Sequence, residues 1–126
     1  MNVKIVVSGR HNDNWLARQN SMRIFGPLLE AGIEVYQYNR TMLHQKTMVV
    51  DGKWATIGSA NFDNRSFAFN EESNVSFVDE RLIHELERVF KEDLNNSERL
   101  TLEQWKSRGL LARVQEVFAA LLEDQV

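Results

Sequence analysis

Two strand-like runs, NVKIVVSG at Asn2–Gly9 and IEVYQY at Ile33–Tyr38, bracket one helical stretch. That order constrains the fold more than any other feature. A single helix between two strands brings the second strand back parallel to the first, and such crossovers are right-handed. The helix is expected from about Trp15 to Ala31, with Gly26-Pro27 as a kink or restart and Gly32 as its stop. In RHNDN, Asn12, Asp13 or Asn14 can cap it. Arg10 and His11 follow the first strand, where α/β folds often place ligand contacts; a plain loop is the expectation.

The next signal is Asp51-Gly52, flanked by HQKTMVV and KWATIGS. Asp-Gly between two alternating runs predicts a two-residue hairpin. That register sets Val50 opposite Lys53, Met48 opposite Ala55 and His44 opposite Ser59. ESNVSFVD, Glu72–Asp79, is a further alternating strand, with Val75 and Phe77 opposite Glu72, Asn74 and Ser76. The helix ERLIHELERVFKEDL puts Leu82, Ile83, Leu86, Val89 and Phe90 on one stripe, leaving His84 on its polar side. NNSER reads as a linker. Thr101 and Gln104 form a capping box for a last helix from about Leu102 to Glu123. Its apolar side carries Leu111, Val114, Phe118, Leu121 and Leu122. Trp105, Lys106, Arg108 and Arg113 near that side raise a membrane surface as its seat; packing on the domain or a partner is favoured.

These elements predict an α/β fold, a mixed sheet flanked by helices. The 126 residues and 43% apolar content suffice for a core. No cysteine is present, which excludes disulfides and thiolate metal sites and fits a reducing compartment. No apolar run approaches the roughly 18 residues of a membrane span, and no secretory leader is expected. A net charge of −3 offers no general footprint for nucleic acid.

On the expected hairpin, His44 and Lys46 share a face, with Ser59 and Asn61 beside them on the partner strand. An imidazole, a cation and two neutral hydrogen-bonding groups suit a phosphate diester. Lys46 offsets the charge of the non-bridging oxygens, to which Ser59 and Asn61 donate. His44 can attack phosphorus when neutral or donate a proton when charged. This chemistry calls for no cofactor and no metal.

His44-x-Lys46-x4-Asp51-x6-Gly58-Ser59-x-Asn61 resembles the HKD motif of the phospholipase D superfamily at every defined position. Chance would produce those six residues at about 10⁻⁸ per start point. SANFDNRSF and NEESN resemble the bacterial cardiolipin synthase branch. LLEAGIEVYQY and SERLTLEQW look like the C-terminal half of its enzymes. The resemblance implies a phospholipase D-like domain over 1–100, followed at 101–126 by an amphipathic helix on the domain, a partner or a membrane surface. It implies a phosphatidyltransferase that passes a phosphatidyl group between phosphatidylglycerol molecules through a phosphohistidine. His44 would be one of two paired histidines, Lys46 and Asn61 would grip phosphate with help from Ser59, and Gly58 is a structural motif position. Asp51 lies at the turn and is read as structural. Glu72, or Glu71 if the strand starts differently, would hold the rear imidazole nitrogen.

The resembled synthases carry two such motifs, whereas this chain has one. A homodimer mate or a missing N-terminal half would supply the second histidine. The implied seat is the cytoplasmic face of the bacterial membrane, bound peripherally. A single-motif phosphodiesterase or nuclease acting as a homodimer, and a non-catalytic half-domain, are the alternatives. Nucleic acid is the less expected partner on charge.

Overall fold

The structure, a computed structural model, describes residues 1–9, 15–41, 43–58, 73–108 and 110–123. The chain divides into two compact units, Met1–Leu43 with Asp93–Val126, and His44–Glu92.

The first unit holds β1 (Lys4–Ser8), α1 (Trp15–Glu30) and β2 (Glu34–Tyr38). Strands β1 and β2 are parallel, Ile5 facing Val35 and Ser8 facing Tyr38, as the crossover requires. Helix α1 ends as expected. Gly32 has φ +84°, and the Gly32 and Ile33 amides donate to the Leu29 and Leu28 carbonyls at 3.0 Å each. Left-handed glycine with that bonding pair closes orphan carbonyls at a helix end.

NNSER does not remain a linker. Ser97–Leu100 forms β6, antiparallel to β2, with Val35 facing Leu100. The sheet order is β1-β2-β6, so this sheet is mixed. Phe25, Val35 and Leu100 are buried at its centre, with Val7, Met22, Leu28, Leu29, Ile33 and Trp105 packed around them.

The expected last helix is two helices. After β6, Thr101 and Gln104 make the predicted reciprocal cap, and α3 runs Leu102–Lys106 with Ser107 as its C-cap; α4 runs Leu110–Glu123. The break follows from what Trp105 and Arg108 bind. The Trp105 indole donates to the Met22 carbonyl at 2.6 Å and lies where a Cβ on Gly26 would sit. The Arg108 guanidinium stacks over that indole at 3.6 Å. Its Nη1 donates to the Trp105 carbonyl at 2.6 Å, and its Nε donates to Glu116 Oε1 at 2.7 Å. Glu116 is 3% exposed and Ala119 fully buried, so α4 turns this side inward. The expected apolar stripe is the opposite side: Val114, Phe118, Leu121 and Leu122 are all exposed.

The second unit contains β3 (Thr47–Val50), β4 (Trp54–Gly58) and β5 (Asn74–Phe77), an antiparallel sheet in that order. The strands therefore divide between two sheets. Helix α2 (Glu80–Asn95) begins here, its Leu82 amide bonded to Asp79 Oδ1 at 3.1 Å. Ile83 is fully buried and Leu86, Val89 and Phe90 are half-buried, whereas Leu82 is exposed. His84 is exposed, 3.6 Å from Glu87, as its polar position predicts.

Candidate functional site

The β3–β4 hairpin carries the described part of the motif. Asp51 and Gly52 both adopt left-handed backbone, φ 51° and 64°, and the Lys53 amide donates to the Val50 carbonyl at 3.0 Å. Positive φ at both central residues is what Asp-Gly supplies in a tight hairpin turn. Asp51 thus sits at the turn, as expected.

The register differs from expectation by one residue. Val50 pairs with Trp54, Val49 with Ala55, Met48 with Thr56 and Thr47 with Ile57. Lys53 closes the turn without entering the ladder, an extra residue on one strand. Asp-Gly fixes the turn's backbone angles but not whether the following residue pairs. A slip of one residue exchanges the faces. Trp54, which the expected register puts on the other face of the hairpin from His44, instead pairs with Val50 and shares the face of Val50 and Met48. The Gly58 amide donates to the Lys46 carbonyl at 3.1 Å, where the expected register put Ile57.

His44 and Lys46 do come together. Lys46 Nζ lies 2.7 Å from His44 Nε2 at the exposed end of the hairpin. An ammonium has donors only, so Nε2 accepts, and a neutral imidazole then carries its proton on Nδ1. The pair offers a nitrogen lone pair and a positive charge to the same approaching group.

Gly58 has a role that the motif spacing alone did not explain. A Cβ there would collide with the Asn74 side chain and stand 2.6 Å from the Ser73 carbonyl oxygen. β5 therefore crosses β4 at a point where only glycine fits. The Gly58–Asn74 pairing could not be read from the sequence, because it depends on the β5 register. Ser59, Asn61, Glu71 and Glu72, like Arg10 and His11, lie outside the described residues.

The family model described as cardiolipin synthase, PLD-like domain, matches residues 1–94. The chain belongs to this family. Among curated relatives, a probable cardiolipin synthase, YwiE, of Bacillus subtilis is 43% identical over 119 residues. That alignment takes in 94% of this chain and 24% of the relative. Cardiolipin synthase 2 of Staphylococcus epidermidis is 43% identical over 95 residues, 75% of this chain and 20% of its own length. The chain thus spans about a quarter or less of these relatives. In fold, this PLD-like domain is similar to the phospholipase D family member Nuc from Salmonella typhimurium, with TM-score 0.62 and 22% identity. The match covers 79% of this chain and 64% of Nuc. Among the described residues, no helix is long and apolar enough to cross a membrane.

Proposed function

We propose that the chain supplies one histidine half-site of a cardiolipin synthase-type phosphatidyltransferase. The observation that carries this reading is the 2.7 Å contact between His44 Nε2 and Lys46 Nζ, inside a complete HKD motif. Lys46 moves from the ring to the non-bridging oxygens of a phosphatidylglycerol phosphodiester. His44 Nε2, freed as a nucleophile, attacks phosphorus. The P–N bond forms, the bond from phosphorus to the glycerol headgroup oxygen breaks, and a second histidine protonates the leaving glycerol. That histidine then takes a proton from the hydroxyl of a second phosphatidylglycerol. The alkoxide attacks phosphorus, expels His44 and gives cardiolipin. Water in its place gives phosphatidate.

Ser59 and Asn61 are assigned to the phosphate oxygens. Glu72 is assigned to the Nδ1–H side of His44, the side that the Lys46 contact leaves as donor. Relatives about four times as long support a second motif elsewhere in a longer enzyme; a twofold mate is the alternative source. The enzyme acts at the cytoplasmic face of the bacterial membrane, where its diester substrates lie.

Labelled phosphatidylglycerol separates these possibilities. Cardiolipin as product, lost in His44→Ala, supports transfer, while phosphatidate alone would mean hydrolysis. A monomer by light scattering removes the shared-site version. The longer-enzyme version is tested by exchanging this chain for the matching segment of the Bacillus subtilis relative. An inactive chimera that folds and reaches the membrane would overturn it.

A further inference from the structure

Before any substrate arrives, the Lys46 ammonium already occupies the reactive atom of His44. Nζ lies 2.7 Å from Nε2, and an ammonium can only donate. The lone pair that would attack an electrophile is therefore taken up by a hydrogen bond, with the ring proton on Nδ1. The chain itself sets this arrangement. Lys46 is anchored to the hairpin, its carbonyl accepting from the Gly58 amide at 3.1 Å. His44 lies two residues before it, so extended backbone turns both side chains to one face.

Lys46 is also uncommitted elsewhere. Among the described residues it forms no ion pair with a carboxylate. Its ammonium is held by one neutral ring nitrogen, a partner it can exchange. Charge decides what can take that partner's place, because an ammonium gains most from an acceptor that is itself ionised. A non-bridging phosphate oxygen carries charge and draws Nζ from the ring. A carboxylic ester carbonyl is neutral. It offers the ammonium nothing that the imidazole nitrogen lacks, and it leaves the contact in place. The difference matters for a phosphatidyl lipid, which carries carboxylic esters as well as a phosphodiester.

We infer that Lys46 caps the His44 nucleophile and that only an anionic phosphoryl group lifts the cap, so the half-site selects phosphate diesters against neutral esters before any bond is made. No atom is transferred in this step; Lys46 exchanges one hydrogen bond for another. Lys46 is then a specificity residue as well as a phosphate ligand. The inference rests on the reading of His44 as the nucleophile. It is tested without turnover and without lipid, so a chain that makes no cardiolipin can still show the cap, and an active one can lack it.

The test is proton–nitrogen correlation spectroscopy of the imidazole rings in the whole chain at about pH 8, where a free imidazole is neutral. His44→Gln assigns the His44 signals. In the native chain Nδ1 is expected to carry the proton and Nε2 the lone pair. Lys46→Met should change the ratio of Nδ1–H to Nε2–H by about fivefold, the worth of one exposed charge-assisted hydrogen bond. Dimethyl phosphate, an anionic diester, should shift the native ring signals. Trimethyl phosphate, its neutral counterpart, and triacetin, a carboxylic ester, should not.

Diethyl pyrocarbonate, a neutral acylating agent, gives a second reading by peptide mass mapping. Its reaction with His44 should run about fivefold faster in Lys46→Met, while the exposed His84 keeps its native rate. Methionine retains an unbranched stem, and the backbone amide spectrum confirms that the variant folds. A native ring with its proton on Nε2 would overturn the inference. So would a ring that dimethyl phosphate leaves unmoved, or that trimethyl phosphate shifts as far. A Lys46→Met variant acylated at His44 no faster than the native chain would overturn it too.

Discussion

Replacing Arg108 with alanine should be among the most damaging single changes in the first unit, and the structure says by how much. The Arg108 and Glu116 side chains are only 14% and 4% exposed, with Nε and Oε1 2.7 Å apart. Arg108→Ala leaves the Glu116 carboxylate buried without its cation, which typically costs about 3–5 kcal/mol. It also removes the stack on Trp105, worth roughly 0.5–2 kcal/mol. Glu116→Ala should be milder, about 2–3 kcal/mol, because breaking a buried pair is offset where the surviving ion keeps partners. Arg108 retains the Trp105 ring and the Trp105 carbonyl. The assay is a double-mutant cycle by urea unfolding, followed by fluorescence and circular dichroism. The pair in contact should couple by about 1–3 kcal/mol. Additive single costs, or an Arg108→Ala cost below about 1 kcal/mol, would refute the view that this pair pins α4.

Three further outcomes are expected. Gly58→Ala should destabilise the second unit by about 1–3 kcal/mol. The Asn74 side chain can move aside, but the Ser73 carbonyl oxygen at 2.6 Å belongs to the backbone; hydrogen exchange of the β4–β5 amides would register the loss, and unchanged protection would contradict it. Thr101→Ala removes the side chain that accepts from the Gln104 amide at 3.2 Å and should cost about 1 kcal/mol, read as a lower urea midpoint. Tyr36 donates to Glu34 Oε2 at 2.8 Å, and that bond, before burial and the nearby charge, holds its phenol above the usual tyrosine range. Because the folded value is the raised one, the bond's contribution is present below the ordinary tyrosine pKa and fades as pH rises through the folded value. Glu34→Gln should shift one of the two phenolic titrations down in ultraviolet absorbance.

Much of the architecture was legible because it rests on periodicity and punctuation. The β1–α1–β2 crossover, the Gly32 stop, the Thr101 capping box and the Asp51-Gly52 turn all depend on local chemistry that the residues carry with them. What failed was non-local. β6 is short, and three of its four residues, Ser97, Glu98 and Arg99, are polar; only pairing with β2 makes it a strand. The break between α3 and α4 depends on Trp105 finding Gly26 and Arg108 finding Glu116. An amphipathic stripe tells which α4 residues go together but not which side the protein keeps, and a buried ion pair decided that here. At the site, the union of His44 and Lys46 needed only a spacing of two. The partner strand's register turned on one residue, Lys53, that no pattern marked.

The sheet order β1-β2-β6 also imposes a schedule on synthesis. β2 is complete well before β6 leaves the ribosome, and the whole of the second unit, His44–Glu92, lies between them. During elongation β2 therefore stands as an open edge carrying Val35, a fully buried residue of the finished core. An exposed apolar edge of this kind is a template for wrong pairing. The contiguous second unit can close as it emerges, whereas the first must wait for its far end. Truncations between Glu92 and Leu100 are the ones expected to aggregate, and slowing translation just before Ser97 would lengthen the time the nascent chain is at risk.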